Sequence, residues 1–272
     1  MSVSVCVASG KGGVGKSVFT ANLGAVLARR GLSVAVVDTD IGLRSQDALL
    51  SLENQVVYDL VDVAAKDCRL DQALLDHPVI PGLRLLPASQ FARVKALEPD
   101  RLKKIVDELK LAHDFVLIDC PAGIERGFRN VLKAGVDQVV LMVTPDDISI
   151  RDAERAVQVV ESRQMARPRI VVNRLDSSLI FSGEMYSART VADVLDLELL
   201  GEIPEDSAVS RSVLRHALFT DYDCEARNAV IRVAARLCGN TVPLPSYGCR
   251  RPSLWRRLFS SEIKEVQPLD SH

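Results

Sequence analysis

Short apolar runs alternate along most of the chain with longer segments in which apolar side chains recur every three or four positions. Several of the short runs are apolar at every position, which is typical of strands buried on both faces of a sheet. They predict strands at residues 3–8, 33–38, 83–87, 115–119, 138–144, 169–173 and 199–203. The longer segments predict amphipathic helices at residues 16–30, 99–111, 150–163 and 225–236. This alternation indicates a doubly wound α/β fold with a mostly parallel sheet and helices on both faces.

The regular pattern stops near Gly239, and Pro243, Pro245 and Gly248 follow it. We therefore predict an α/β domain over residues 1–238, a linker over 239–249 and a separate C-terminal element over 250–272. The chain has 272 residues and is 47% hydrophobic but only 4% aromatic, so its core must consist mainly of Val, Leu, Ile and Ala. A net charge of −2 gives no overall attraction to nucleic acid.

Cysteine and histidine spacing gives no sign of a disulfide framework or a metal site. The 6 cysteines contain no Cys-x-x-Cys pair, and the 4 histidines have no ligand spacing. Cys6 and Cys120 fall in or beside predicted strands, and we expect them to be small buried side chains in a reducing compartment. The first strand begins too early for a signal peptide, and no apolar stretch is long enough to cross a bilayer, so we expect a cytoplasmic protein.

A phosphate-binding loop follows the first predicted strand. Its sequence is Gly10-Lys11-Gly12-Gly13-Val14-Gly15-Lys16-Ser17. Glycines allow successive backbone N–H groups to surround an anion, and the positive end of the following helix adds to the same site. In such a P-loop, Lys16 reaches the β- and γ-phosphates and the Ser17 hydroxyl coordinates Mg²⁺. The motif therefore predicts a nucleoside triphosphate and magnesium as the ligands.

Carboxylates end two further predicted strands on the same side of the sheet. Asp38 and Asp40 follow the second strand, and Asp119 ends the apolar run at residues 115–119. Beside a triphosphate, a carboxylate orients the attacking water or holds a metal-bound water. We interpret Asp119 as the Walker B aspartate beside Mg²⁺, and Gly123 as a residue whose N–H can approach the γ-phosphate. A ribose-binding role for the first pair is the weaker alternative, because no dinucleotide fingerprint is present.

These segments together resemble the ParA/MinD family of deviant Walker A ATPases, and its MinD-type members most of all. The resemblance rests on the second loop lysine, Lys11, and on the segments at residues 38–44, 57–63, 119–125 and 201–206. It implies an ATP hydrolase that forms a homodimer with ATP, attaches to the membrane and regulates placement of the division septum. The implied partners are a MinC-like septum inhibitor and a MinE-like or other activator of hydrolysis.

The resemblance also implies residue roles. Lys11 matches the lysine that reaches the partner subunit's phosphates, and Lys16, Asp40 and Asp119 complete the catalytic set. Ser17, Asp40 and Asp119 would surround Mg²⁺. Loop residues from Gly10 through Val18, together with Asn173 and Pro204, would contact ATP, with Asn173 reading the adenine. Asp152, in a segment near the dimer surface, is the expected resting partner of Lys11.

The C-terminal element has an amphipathic pattern. Its apolar positions fall on one helical face: Leu254, Trp255, Leu258 and Phe259. Its basic residues lie off that face or just upstream of it: Arg250, Arg251, Arg256 and Arg257. The pattern alone fits a helix docked on protein as well as one bound to anionic phospholipid. The family resemblance favours the membrane, so we expect the protein to bind the inner face of the cell membrane peripherally.

Two related functions remain as alternatives. One is a DNA-partitioning ATPase of the ParA type, which would need a basic surface for DNA. The other is a flagellar-number-regulating MinD-like ATPase, which shares nearly all of these motifs. We expect no specific nucleic-acid partner, because the clearest basic cluster is interleaved with Leu, Trp and Phe. An iron–sulfur reductase of related fold is excluded by the lack of two suitably placed cysteines.

Overall fold

The computed structural model describes residues 2–91, 97–245 and 247, and these contain one 8-stranded sheet. The strands are β1 (Val3–Ala8), β2 (Val34–Asp38), β3 (Leu75–Asp76), β4 (Leu83–Leu86), β5 (Phe115–Asp119), β6 (Gln138–Val143), β7 (Arg169–Leu175) and β8 (Glu198–Pro204). Their spatial order is β3-β4-β2-β5-β1-β6-β7-β8. Every pair is parallel except β3 with β4, so the predicted mostly parallel sheet is confirmed.

Helices connect the strands and cover both faces of the sheet. They are α1 (Lys16–Arg29), α2 (Gln46–Leu49), α3 (Leu60–Ala65), α4 (Leu70–Ala73), α5 (Pro99–Ala112), α6 (Arg126–Lys133), α7 (Asp147–Glu161), α8 (Ser177–Ser182), α9 (Ala188–Leu195), α10 (Ser207–Leu214) and α11 (Glu225–Leu237). Alternate residues of each strand point to opposite faces. Val5 and Val7 pack with α1 and α11, whereas Cys6 and Ala8 pack with α5, α6 and α7. The continuous apolar strands are therefore explained by burial on two sides.

All 7 predicted strands are present, most of them with shifted ends. The helix that we placed at residues 150–163 begins earlier, at Asp147, because the Asp146 carboxylate accepts a hydrogen bond from Ser149 N at 2.9 Å and caps the first turn. Several short elements were not predicted, including β3 and α2 to α4. Each spans 6 residues or fewer, which is too short for a hydrophobic period to identify.

The core cysteines behave as expected. Cys6 and Cys120 are buried free thiols whose Sγ atoms lie 3.1 Å apart. They flank the strand ends that carry the phosphate-binding loop and Asp119.

The boundary near residue 238 stays a prediction. Helix α11 ends at Leu237, and Arg236 then holds the following segment by donating to the carbonyls of Val242 and Pro243. The predicted amphipathic element at residues 250–272 lies outside the described residues. Within the part of the chain that the structure describes, no helix is both long and apolar enough to cross a membrane.

Candidate functional site

The loop between β1 and α1 depends on glycine for its shape. Gly13 and Gly15 have φ angles of 79° and 92°, in the left-handed region that favours glycine. Gly15 is also the cap residue of α1, and a Cβ there would lie 2.5 Å from Asn173 Nδ2. The loop therefore lies at the N-terminus of α1, where an anion site can form, and Asn173 of β7 packs against it.

The loop lysine is buried against the aspartate that ends β5. Lys16 Nζ donates to Asp119 Oδ1 at 2.6 Å and lies 3.3 Å from Ser17 Oγ. Burial lowers the pKa of Lys16, but the charge of Asp119 and the hydrogen bond to it outweigh that effect and hold the pKa above its usual value. Lys16 is therefore a charged donor at the phosphate-binding loop.

Gln46, the first residue of α2, belongs to the site although the sequence analysis did not identify it. Its Nε2 donates to Asp119 Oδ2 at 2.7 Å and to the Ser17 carbonyl at 3.0 Å. The side chain is completely buried. In the sequence, Gln46 is recognisable only as a polar residue a few positions after the carboxylates of the second strand. Its burial is visible only in the structure. Tertiary contact alone shows what that residue touches.

The two carboxylates that follow the second strand have different environments. Asp38 is completely buried, lies beside Asp119 in the sheet register, and accepts hydrogen bonds from the backbone N–H groups of Asp40, Ser45 and Gln46. Burial and the charge of Asp119 raise the pKa of Asp38 to about 7. Asp38 thus organises the loop that carries Asp40, and Asp40 is the more accessible carboxylate.

The raised pKa of Asp38 predicts a pH-dependent contribution to stability. The folded protein holds this proton up to about pH 7, whereas an unfolded aspartate has a pKa of 3.8. This contribution is therefore fully present below about pH 4 and is lost as the pH rises through about 7. We expect the free energy of unfolding of Asp38→Asn, relative to wild type, to increase between about pH 5 and pH 8. Urea denaturation without nucleotide measures this difference, and a difference constant across the range would contradict the assignment.

The residues present fit a magnesium ion that is held mainly by water and phosphate. Burial, together with the charge of Asp119, raises the pKa of Asp40 against the opposing charge of Lys16, so these three groups share one electrostatic site. The buried Gln46 Oε1 has no hydrogen-bond partner among the described residues and is available to a bound water. No group of three or more His, Cys, Asp and Glu side chains in those residues would hold a metal by itself. Mg²⁺ usually keeps several waters and is bound through one or two carboxylates plus substrate phosphates, and Asp119 and Asp40 are the carboxylates available here.

The expected partner of Lys11 was wrong. Lys11 Nζ lies 3.0 and 3.1 Å from the two carboxylate oxygens of Asp146, not against Asp152. Asp146 also accepts from Thr144 Oγ1 and Ser149 N. Partial burial raises the pKa of Asp146, but these hydrogen bonds and Lys11 hold it below its usual range. The aspartate is already oriented as the cap of α7, which is why it, and not Asp152, meets the lysine.

A cavity of about 430 Å³ lies beside the loop at the ends of β7 and β8. Its lining includes Gly15, Val18, Phe19, Asn173, Pro204 and Val213. Asn173 Nδ2 donates to the Val14 carbonyl at 2.8 Å, so the amide is held at the edge of the loop. The structure thus places both residues expected near the base, Asn173 and Pro204, at one cavity next to the phosphate loop.

Most of the expected site residues converge at the carboxyl ends of the strands. Loop residues 10–18 lie between the Asp119 side and the Asn173 side, and Asp40 lies near Lys16. The expected membrane residues 254–259 are outside the described part of the chain.

Known proteins with a nucleotide-binding domain resemble this chain in sequence. Residues 5–219 match the model of the CobQ/CobB/MinD/ParA nucleotide-binding domain. The chain is 39% identical to the septum site-determining protein MinD of Bacillus subtilis, over 90% of this chain and 92% of the relative.

Two solved structures are similar over most of their length. MinD in the MinC:MinD cell division complex of Aquifex aeolicus is 35% identical, with a TM-score of 0.84, over 90% of this chain and 99% of that chain. The septum site-determining protein MinD of Pyrococcus horikoshii, complexed with Mg-ADP, is 28% identical, with a TM-score of 0.78, over 87% and 96%.

Proposed function

This chain belongs to the CobQ/CobB/MinD/ParA family of nucleotide-binding domains and carries the ATPase domain of its MinD/ParA members, and we propose that it regulates placement of the division septum as a membrane-attached, ATP-dependent homodimer. The observation that carries the proposal is the double-lysine loop, with Lys16 against Asp119 and Lys11 at the surface against Asp146. An ordinary phosphate-binding loop needs only Lys16.

Within one subunit, each site residue has a separate role in binding MgATP. When bound, MgATP supplies the transferable γ-phosphoryl group and its charge. Lys16 would bind phosphate, and Ser17 and Asp119 would hold the magnesium ion. Asp40 would orient the attacking water by accepting a hydrogen bond from it. Asn173 Nδ2 donates to the Val14 carbonyl, so its oxygen would accept a hydrogen bond from the amino group of adenine.

Dimer formation uses the second lysine. Lys11 is 30% exposed and held by a partly exposed carboxylate, so breaking this ion pair costs at most about 1 kcal/mol. We infer that Lys11 exchanges Asp146 for phosphate bound by the partner subunit. Because the exchange needs a second copy with ATP, hydrolysis depends on the dimer. A MinC-like inhibitor is the proposed partner of that dimer, in keeping with the MinC:MinD complex of Aquifex aeolicus. A MinE-like or other activator would stimulate hydrolysis.

Membrane attachment is assigned to residues 254–259. The 4 arginines at positions 250, 251, 256 and 257 each contribute about 1 kcal/mol near an anionic surface. Burial of the apolar side chains adds to this, but the cost of ordering a short helix opposes it. One copy therefore binds weakly, and two copies in one dimer bind far more tightly through their effective concentration. We therefore expect membrane attachment with ATP, which forms the dimer, and weak attachment without it.

The experiment for this proposal is liposome co-sedimentation with ATP and with ADP. We expect ATP-dependent binding to vesicles that contain phosphatidylglycerol, and weaker binding at high salt, since salt screens the arginines but not the apolar burial. Removal of residues 250–272 should abolish binding and leave a folded ATPase. Trp255→Glu should do nearly the same, because it puts a charge on the apolar face, and Trp255→Phe serves as the matched control.

Two results would contradict the membrane assignment. One is full liposome binding by the truncated protein. The other is tight binding to duplex DNA in a gel-shift assay with no lipid binding, which would favour a DNA-partitioning ATPase instead.

A further inference from the structure

Gln46 joins three segments of the site through one side chain and one backbone group. Its Nε2 contacts Asp119 Oδ2 and the Ser17 carbonyl, at 2.7 and 3.0 Å. Its backbone N–H donates to Asp38 Oδ2 at 3.0 Å. Both side-chain contacts are to acceptors, so the amide can face them only with its nitrogen. Gln46 therefore connects the phosphate loop with the ends of β2 and β5.

The two oxygens of the Asp119 carboxylate have different donors. Oδ1 accepts from Lys16 at 2.6 Å, and Oδ2 accepts from Gln46 at 2.7 Å. The Asp119 side chain is completely buried, so an unpaired oxygen there is costly. In the proposed nucleotide-bound state Lys16 turns to phosphate, and Oδ1 would then lose its donor. The bond to Gln46 is independent of that exchange.

We propose that Gln46 is a positioning residue, which holds Asp119 by Oδ2 so that Oδ1 faces the magnesium side once Lys16 has turned to phosphate; this rests on the proposed MgATP function. A carboxylate that is free to rotate would present either oxygen, or neither, to the ion's waters. With one oxygen fixed by a buried donor, the other has a defined direction. The hydrogen bond from Gln46 N to Asp38 Oδ2 holds the residue whose Nε2 is the donor.

The amide oxygen supports the same role. Gln46 Oε1 is buried and has no hydrogen-bond partner within the described residues. A buried acceptor without a partner is unfavourable unless water or a ligand supplies a donor. A water bound to magnesium is such a donor, and it would lie beside the two residues that Nε2 already contacts. The amide thus suits this position better than an apolar residue of the same size.

The test compares Gln46→Met with wild type and with Gln55→Met, a matched control on an exposed residue. Calorimetric titration with ADP, with and without Mg²⁺, measures binding apart from turnover. Metal-free ADP affinity should be unchanged in Gln46→Met. The gain in affinity on adding Mg²⁺ should fall about tenfold, as expected for loss of one buried hydrogen bond to a charged group. The Mg²⁺ concentration for half-maximal ATP hydrolysis should rise by a similar factor.

Three outcomes are distinguishable. A Gln46→Met protein that melts like wild type and keeps the full Mg²⁺ response overturns the inference alone. Equal loss of metal-free and Mg²⁺-dependent ADP binding also overturns it, since Gln46 would then serve the loop as a whole. Absence of ADP binding or of any Mg²⁺ response in wild type overturns the proposed function and this inference with it. Should Gln46→Met fail to fold, Gln46→Leu and Gln46→Asn are measured in the same way, and the same two results decide.

Discussion

Lys16→Ala is expected to reduce ATP affinity by on the order of 100-fold, because a charge-assisted hydrogen bond to phosphate contributes up to about 3 kcal/mol. The same change leaves the Asp119 carboxylate without its 2.6 Å partner in a site where Lys16 is 6% exposed and Asp119 is 0% exposed. Breaking a buried pair in this way costs about 3–5 kcal/mol. We therefore expect a lower melting temperature as well as loss of binding. Calorimetry with ATP and thermal denaturation measure the two effects separately.

Lys16→Gln separates these consequences. Its amide can donate a hydrogen bond towards Asp119 Oδ1 but carries no charge for phosphate. A smaller drop in melting temperature than in Lys16→Ala, together with the same loss of ATP affinity, is the expected pattern. ATP binding that survives in both variants would mean that the loop does not hold the phosphates through Lys16.

Lys11→Ala is expected to keep ATP binding and to lose both dimerisation and hydrolysis. Lys11 pairs with Asp146, whereas the pair between Lys16 and Asp119 is formed separately. The ion pair is partly exposed, so its loss should change stability by less than about 1 kcal/mol. The measurements are light scattering with ATP and steady-state ATPase assays. Parental turnover with normal dimerisation would show that Lys11 has no role across the dimer.

Asp146→Asn is the matched control for Lys11. Asparagine can still cap α7, but it no longer neutralises the lysine. Since this variant keeps Lys11 and weakens only its resting contact, dimerisation with ATP should be retained or strengthened. Loss of dimerisation in both variants would instead indicate that the 3.0 Å pair itself supports the fold of the site.

Local chemistry made much of the site readable from the sequence. The P-loop is contiguous, so its glycines, Lys16 and Ser17 are recognisable by spacing alone. Parallel strands end on the same side of a sheet, so the sequence alone predicts that the carboxylates after β2 and β5 lie near the loop. Asn173 and Pro204 came from the family resemblance, and both line the cavity beside the loop.

Contacts between distant segments required the tertiary structure. Asp152 and Asp146 are both acidic residues in or next to α7, and only the geometry of its first turn shows that Asp146 holds Lys11. Asp38 and Asp40 look alike in the sequence, yet one is a buried cap for backbone N–H groups and the other is accessible. Gln46 gave almost no signal, because its role depends on three segments that meet only when the sheet forms.

The amino-acid sequence by itself thus determined the strand and helix pattern, the phosphate loop and the family, since each is encoded in neighbouring residues or in a short period. The tertiary structure decided which donor each carboxylate oxygen receives. Hydrogen bonds act over about 3 Å, and the groups that form them in this site are separated by up to 159 residues along the chain. Periodicity carries no information at that range, whereas strand register and helix caps bring those atoms within hydrogen-bonding distance.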